Sequence, residues 1–198
     1  GMYTHPATQE NITILRQRGA VIIGPEAGHL ASGLKAHGRM SEPATLFGQI
    51  RWLLTRTGAL QGKRVVVTAG GTQEQIDPVR VITNRSSGKQ GYALAQACLD
   101  QGAEVILIAA PNALPAPTGA QHVPVTSAKE METTVLQHCQ TADALLMAAA
   151  VADFTPANPS AHKIKKRAGL PVIELIHTPD ILAAVAKARA HSGWPRVV

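Results

Sequence analysis

Two polar stretches that directly follow apolar or β-branched runs contain residue types suited to binding an anion. Gly70–Thr72 (GGT) follows the run Arg64–Thr68, and Asn84–Gly88 (NRSSG) leads into a helical pattern. Glycines let backbone N–H groups approach an anion, and a helix N-terminus adds free N–H groups with a favourable dipole. Each stretch alone could be an ordinary turn or helix cap, but together they predict a phosphate-binding edge.

The polar loop predicted between these stretches contains one arginine that could serve the same edge. The guanidinium of Arg80 could hold a carboxylate or phosphate through two parallel hydrogen bonds. It could equally form a surface salt bridge with Asp77 or Glu74. Long ordered loops at the carboxyl edge of a sheet are often functional, which favours the first interpretation.

A later stretch adds a carboxylate and a lysine cluster. Asp153 follows an alanine-rich strand that includes Ala149 and Ala150, whose small side chains leave room for a ligand at the sheet edge. Its carboxylate could accept from a nucleoside or bind a Mg²⁺-coordinated water, or it could simply cap a loop. The lysine cluster consists of Lys163, Lys165 and Lys166. Its charges could neutralise a triphosphate, or the cluster could be a solvated basic turn.

Two common nucleotide motifs do not occur in this arrangement. Gly88-Lys89 is followed by Gln90 and has no glycine five positions earlier, so it is not a Walker A loop. Gly70 and Gly88 are too far apart in the sequence for the dinucleotide fingerprint, which argues against an ordinary NAD-dependent oxidoreductase. The histidines show no metal-ligand spacing.

The elements around these stretches alternate as in a doubly wound α/β fold. Ser127 and Glu130 form a capping-box pattern at one helix start. We therefore predict a mostly parallel, three-layer αβα, Rossmann-like sheet. The predicted strands are Arg64–Thr68, Glu104–Ala109, His122–Val125, Ala144–Ala149 and Val172–Ile176, and Arg196–Val198 begins another. The predicted helices are Ser87–Gln101, Ala128–Cys139 and Pro179–His191, and the predicted Pro-rich loops are Pro111–Gly119 and Thr155–His162.

Residues 1–60 form a separate segment in this interpretation, and residues 61–198 form the main domain. We predict a helix over Thr8–Arg18 capped by Thr8, a strand over Ala20–Ile23 and a Gly-rich loop over Glu26–Pro43. A helix over Ala44–Arg56 follows. One strand and two helices are too few for an independent core of useful size.

Composition excludes several classes of protein. Aliphatic residues must form the core, because the chain is 45% hydrophobic but only 3% aromatic. The net charge of +6 is spread along the chain without interleaved aromatics, which favours a local anion site over nucleic-acid binding. Two cysteines suggest neither a disulfide framework nor a metal site, and no signal peptide or membrane-length apolar run occurs. We expect a cytoplasmic protein.

These motifs resemble those of phosphopantothenate–cysteine ligases, the ligase half of bacterial bifunctional flavoproteins of coenzyme A biosynthesis. The resemblance rests on GGTQEQIDPVRVITNRSSGKQGYALA, AAAVADF, KIKK and TPDIL. Residues 2–60 resemble the end of the partner half, an FMN-dependent phosphopantothenoylcysteine decarboxylase. The motifs there are HPATQ, GPEAGHLASG and GRMSEP.

The resemblance implies a two-step reaction. The carboxylate of 4′-phosphopantothenate would attack the α-phosphate of CTP, which releases pyrophosphate and forms an acyl-cytidylate. The amine of cysteine would then displace CMP and form the amide of 4′-phosphopantothenoylcysteine. The choice of CTP over ATP rests on the resemblance alone, since no pattern in these residues reads the base.

The resemblance also implies roles for individual residues. Lys163 would stabilise the triphosphate, Asn84 would hold the acyl intermediate, and Arg80 would assist in the same loop. Mg²⁺ would bridge the phosphates, and Asp153 would reach it through a bound water. The nucleotide and substrate contacts would fall on Gly70, Gly71, Thr72, Ser86, Ser87, Gly88, Ala149, Ala150, Asp153, Lys165 and Lys166.

The decarboxylase-like segment departs from the family at Ser32, where the family has a cysteine. Serine is a much poorer acid than a cysteine with a pKa of about 8.5, so it could not readily donate the proton the family's mechanism needs. The flavin-binding region and its catalytic histidine also lie outside the sequence. We therefore expect this half to be inactive and FMN, which the full family protein binds, not to be bound here.

The extent of the resemblance also predicts that the chain is truncated at both ends relative to this family. The family dimerises through its ligase half, so we expect a homodimer. A rival hypothesis is a non-catalytic nucleotide-binding or assembly module.

Overall fold

The computed structural model describes residues 1–165 and 172–198, and these form two compact units, Gly1–Leu53 and Leu54–Val198. The predicted site residue Lys166 lies outside the described residues. The assignment of residues 1–60 to a decarboxylase remnant stays a prediction.

The first unit contains two helices and one hairpin. Its elements are α1 (Pro6–Gln17), β1 (Glu26–His29), β2 (Lys35–Arg39) and α2 (Pro43–Leu54), which reaches the boundary between the units. β1 and β2 pair antiparallel. Within residues 1–53, all of which the structure describes, Ser41 is the only buried residue.

Three predictions for this unit are wrong. The helix begins before Thr8, because the His5 side chain accepts from the Ala7 N–H at 3.3 Å and Pro6 occupies the first turn. Ala20–Ile23 is not a strand. The predicted Gly-rich loop instead folds into the β1–β2 hairpin, which Gly33 closes with a positive φ of 79°.

The second unit is an α/β domain. Its elements in chain order are β3 (Arg64–Ala69), β4 (Gln73–Asp77), β5 (Arg80–Thr83), α3 (Lys89–Asp100), β6 (Glu104–Ala109), β7 (Gln121–Pro124), α4 (Ala128–Cys139), β8 (Ala144–Met147), β9 (Phe154–Pro156), β10 (Leu175–His177) and α5 (Ile181–Ser192).

The central sheet has the order β7-β6-β3-β8, and all three pairings are parallel. Val197 pairs parallel with Ala144 beside β8, at the position of a fifth strand. The strand order reverses at β3, so the chain segments that follow β3 and β8 emerge at the switch point where open α/β sheets bind ligands. The predicted Rossmann-like fold is confirmed.

The core is aliphatic, as predicted, and lies on both faces of the sheet. Val66, Ile106 and Leu145 belong to a buried cluster with α4 and α5, to which Met131 and Val185 contribute. Helix α3 packs on β3 and β6 through the buried side chains of Tyr92, Ala95 and Leu99.

The second unit also corrects several sequence-based boundaries. The long loop predicted after Gly71 forms the antiparallel β4–β5 hairpin. β9 occupies the beginning of the predicted Pro-rich loop, and it pairs antiparallel with β10, which begins later than the predicted strand Val172–Ile176. Helix α3 begins at Lys89 because its N-cap is Gly88, with a φ of 73°.

The predicted cap of α4 is confirmed in part. The Ser127 hydroxyl accepts from the Glu130 N–H at 3.2 Å, as in a capping box. The Glu130 carboxylate, however, accepts from the N–H of Thr126 at 2.7 Å and not from that of Ser127. Among the described residues, no helix combines the length and apolar character that crossing a membrane requires.

Gly91 lets α3 lie directly on β3. A Cβ at this position would lie 2.5 Å from the Ala69 Cβ and 2.7 Å from the Thr68 carbonyl oxygen. We predict that Gly91→Ala lowers the free energy of unfolding by about 1–3 kcal/mol, because overpacking must push the helix off the strand. Gln90→Ala, at the exposed neighbouring position, is the control in urea unfolding. Equal stability of both variants would contradict the close approach.

Candidate functional site

The site begins at a fully buried hydroxyl between β3 and β8. The Oγ1 of Thr68 accepts from the N–H of Ala148 at 3.1 Å and from the N–H of Ala149 at 3.2 Å. Because one hydroxyl has two lone pairs, these bonds use both of them and leave its proton directed at the Met147 sulfur, 3.6 Å away. Thr68 therefore holds the chain that leaves β8 against β3.

The segments beyond the two strand ends continue this pairing. The Ala150 N–H donates to the Gly70 carbonyl at 2.8 Å, and the Thr72 N–H donates to the Ala150 carbonyl at 3.3 Å. The Thr72 hydroxyl then accepts from the Ala152 N–H at 2.9 Å. Thr72 is fully buried, so the structure gives it a supporting position behind the predicted ligand contacts.

Gly70 and Gly88 lie against each other at the end of β3. A Cβ on Gly88 would lie 3.5 Å from the Gly70 Cα, and a Cβ on Gly70 would lie 2.8 Å from the Ala110 carbonyl oxygen. Both glycines have positive φ. The N-terminus of α3 is thereby brought to the Gly70 turn, an arrangement that helix N-terminal anion sites share.

This contact changes the interpretation of the missing dinucleotide fingerprint. Gly70 makes the turn and Gly91 packs the helix on the strand, which are the first and third tasks of the fingerprint glycines, and Gly88 is the N-cap of that helix. The β4–β5 hairpin separates Gly70 from Gly88 and Gly91 in the sequence. Gly91 was not among the predicted site residues, although its G-x-x-G spacing from Gly88 could have indicated a glycine needed for helix packing.

The two predicted serines make local contacts in this structure. The Ser86 hydroxyl accepts from the Gly88 N–H at 3.3 Å, and the Ser87 hydroxyl accepts from the Lys89 N–H at 3.5 Å. Both bonds join residues two positions apart and form turns before the helix; the N-cap of α3 is Gly88, so neither serine caps the helix as the alternative expected. The phosphate contacts of both serines stay predictions.

Asn84 links the hairpin to the segment after β8. Its side-chain amide donates to the Val151 carbonyl at 3.0 Å, which places the exposed side chain beside Ala149–Asp153. Gly71 makes this approach possible, since a Cβ there would lie 2.5 Å from the Asn84 carbonyl oxygen. The structure thus brings three predicted site segments to one sheet edge.

A cleft of about 590 Å³ opens beside this edge. One wall contains Ala149, Ala150 and the exposed Asp153, as predicted. The opposite wall is formed by His177 and by Thr178–Leu182 at the start of α5, to which sequence analysis assigned no separate role. The Thr-Pro-Asp sequence before a predicted helix could have indicated these residues. Asp180 caps α5, because its side chain accepts from the Ala183 N–H.

The two walls of the cleft are joined by hydrogen bonds. The Thr178 hydroxyl donates to the Ala152 carbonyl at 2.6 Å, and the Thr178 N–H donates to the Asp153 carbonyl at 3.0 Å. The backbone around Asp153 is therefore held in place, and the exposed residue lines the cleft.

Arg80 adopts the salt-bridge alternative. Its guanidinium lies 3.1 Å from the Asp77 carboxylate and donates to the Ile164 carbonyl at 3.1 Å. Glu74 does not compete for it, because the Glu74 carboxylate is buried and accepts from the Ala128 N–H at 2.9 Å.

Asp77 is the buried centre of this cluster. Its carboxylate accepts from the Val79 N–H at 2.9 Å and from the Ile164 N–H at 3.1 Å. Burial acts to raise the pKa of Asp77, but these two N–H groups and the Arg80 charge outweigh it and lower the pKa from its usual value.

The lysines lie on the hairpin side of the site. Lys163 and Lys165 flank Ile164, both are exposed, and neither is among the described residues that line the 590 Å³ cleft. Ser32 belongs to the first unit, where it is exposed between β1 and β2. Within residues 1–165 and 172–198, no three histidines, cysteines or carboxylates cluster as metal ligands.

Comparison with known proteins gives a consistent family. Residues 60–196 match the family described as DNA/pantothenate metabolism flavoprotein C-terminal domain. The coenzyme A biosynthesis bifunctional protein CoaBC of Mycobacterium tuberculosis is 48% identical over 202 residues, which is 99% of this chain and 48% of the relative. The Bacillus subtilis protein of that name is 44% identical over 95% of this chain and 47% of its own length.

The chain therefore spans about half the length of the curated relatives it matches. Among solved structures, the C-terminal domain of a CoaBC protein is 47% identical, with a TM-score of 0.58 over 66% of this chain and 61% of the other. The DNA/pantothenate metabolism flavoprotein of Streptococcus pneumoniae is 29% identical, with a TM-score of 0.56 over 65% of each chain.

The lowered pKa of Asp77 makes a prediction about stability and pH. The folded state favours the ionised carboxylate, so this stabilisation is present above the unfolded pKa and is lost as the pH falls through the folded pKa. Asp77→Asn should therefore be less stable than the unsubstituted chain near neutral pH, and the gap should narrow on acidification. Urea unfolding at several pH values measures it, and a gap independent of pH would contradict the ionised contact.

Proposed function

Since this chain belongs to the DNA/pantothenate metabolism flavoprotein family, we propose that it catalyses the phosphopantothenate–cysteine ligase step of coenzyme A biosynthesis. The observation that carries the proposal is the meeting of the Gly70–Gly88 contact, Asn84 and the Asp153 cleft at one sheet edge. This edge offers an anion site, an amide donor and a carboxylate side by side. Relatives named for coenzyme A biosynthesis support the same assignment.

In the proposed first step, a carboxylate oxygen of 4′-phosphopantothenate attacks the α-phosphorus of CTP and pyrophosphate leaves. In the second step, the cysteine amine attacks the acyl carbon, CMP leaves with the bonding electrons and the amine loses a proton. The chain's contribution is to hold both substrates in line and to stabilise the charge that develops on phosphate and acyl oxygens.

We assign the triphosphate to the Gly70–Gly88 region and the nucleoside to the cleft beside Asp153. N–H groups at the start of α3 and the Gly70 turn can approach phosphate closely, because neither glycine has a Cβ. The amide of Asn84 lies next to Val151 and can donate to the acyl oxygen of the intermediate. Arg80 contributes from the same hairpin, where it is already bound to Asp77.

The Asp153 carboxylate fits a magnesium-bound nucleotide. It is exposed on the cleft, and Mg²⁺ keeps several waters and needs only one or two carboxylates besides the substrate phosphates. The ion would neutralise phosphate charge, while Asp153 would orient it through one of its waters.

We further propose that this chain is not a decarboxylase and does not bind FMN. By the family resemblance, Ser32 stands where the family has its cysteine acid, and it is exposed between β1 and β2. A hydroxyl there cannot supply the proton that a thiol supplies near neutral pH. A homodimer and a cytoplasmic location remain part of the proposal.

Incubation with CTP, Mg²⁺, 4′-phosphopantothenate and cysteine should release pyrophosphate in proportion to the amide product. CTP should support a higher rate and a larger thermal shift than ATP. Stabilisation by CTP without any pyrophosphate release would favour a non-catalytic nucleotide-binding module. The proposal would be rejected if CTP caused no thermal stabilisation and no pyrophosphate were released.

Lys163→Gln should weaken CTP binding by at least about tenfold, because a hydrogen bond to a charged group contributes about 1.5–3 kcal/mol. Isothermal titration calorimetry measures the affinity. Lys187→Gln removes the same charge from an exposed position in α5 and serves as the control. Unchanged affinity in Lys163→Gln would remove this lysine from the phosphate site.

A further inference from the structure

The Asp77–Arg80 pair holds the peptide group of Ile164 at both of its polar atoms. The Ile164 N–H donates to the Asp77 carboxylate at 3.1 Å, and the Ile164 carbonyl accepts from Arg80 at 3.1 Å. Lys163 is the adjoining residue. We propose that Asp77 is a positioning residue that places Lys163 for the triphosphate, an inference that rests on the proposed ligase function.

Further contacts fix the segment that carries Lys163 along β4. The Ser160 N–H donates to the Ile76 carbonyl at 2.9 Å, so the segment is attached before and after Lys163. The half-buried Ile164 and Ile76 line one small cavity with Pro156. These contacts restrain the backbone on both sides of Lys163.

The hairpin that supports this segment is itself anchored to α4. The Gln73 N–H donates to the Thr126 carbonyl at 2.8 Å, and the buried Glu74 carboxylate accepts from the first N–H of α4 at 2.9 Å. A continuous series of contacts therefore runs from α4 through β4 and Asp77 to Lys163. Glu74 belongs to the anchoring end of this series and Asp77 to the lysine end.

A carboxylate is required at position 77 because every group that faces it is a donor. The Val79 N–H, the Ile164 N–H and the Arg80 guanidinium all point at its two oxygens. Asparagine would keep one oxygen but present an NH₂ group to a donor. Asp77→Asn should thus release Arg80 and loosen Ile164 without adding bulk.

Hydrogen exchange tests the contact itself, independently of nucleotide chemistry. In the 198-residue chain, the Ile164 amide should exchange at least about tenfold faster in Asp77→Asn than in the unsubstituted protein. The same variant should leave the Ala128 amide protected, because that amide donates to Glu74. Unchanged exchange at Ile164 would overturn the proposal.

A double-mutant cycle tests whether Asp77 acts through Lys163. Asp77→Asn should lower kcat/KM for CTP by about 10- to 100-fold, since a misplacement of about 1 Å can cost that much. In the Lys163→Gln background the same change should cost less than about twofold. The affinity for CTP should show the same coupling between positions 77 and 163. The coupling can therefore be measured even for variants without turnover.

Glu74→Gln is the matched control, because it removes a buried carboxylate from the same strand but touches α4. Because glutamine keeps an oxygen for the Ala128 N–H, the anchor to α4 is retained, and the effect of Glu74→Gln on CTP affinity should be equal with lysine or glutamine at position 163. Should Asp77→Asn fail to fold, Asp77→Ser keeps one acceptor for the Val79 N–H but removes the second oxygen, which the Ile164 N–H contacts, and it should show the same coupling.

Additive effects of Asp77→Asn and Lys163→Gln would overturn the positioning role even where exchange confirms the contact. If the unsubstituted chain neither binds nor converts CTP, the proposed function fails and the positioning role fails with it. The exchange experiment separates these cases, because it reports the Asp77–Ile164 contact without any nucleotide.

Discussion

The candidate site depends on one buried junction, where the chain that leaves β3 is bonded to the chain that leaves β8. Thr68 supplies two bonds to the backbone after β8, and Thr72 supplies a third at Ala152. Parallel strands by themselves align only up to their ends, and the segments beyond would otherwise diverge. The two hydroxyls keep them paired, so residues far apart in the sequence share one sheet edge.

This junction also explains why the glycines are needed. The backbone after β3 must pass between Ala110 and the start of α3, and it must then lie beside Asn84. Side chains at Gly70 or Gly71 would occupy the space of neighbouring carbonyl oxygens. Close packing and the proposed anion site therefore depend on the same constraint, the absence of side chains at these glycines.

Sequence patterns predicted β3 and β6 of the parallel sheet well because these two strands are buried on both faces and read as continuous aliphatic runs. They missed β4, β5 and β9, which are short and partly exposed and so lack a strong alternation, and they placed the start of β10 too early. The predicted site residues at strand and helix ends were placed together by the fold. The contact of Asp77 with Ile164 could not be predicted, since those residues are distant in the sequence and share no periodic pattern.

Amide chemical-shift mapping during titration with CTP and Mg²⁺ tests the central claim most directly, because it shows which backbone groups meet the nucleotide. We predict the largest shifts at Gly70, Gly71 and Gly88 and along the cleft wall formed by Ala149–Asp153. Shifts confined to the opposite side of the β4–β5 hairpin, or shifts absent from the glycines at saturating CTP, would contradict it.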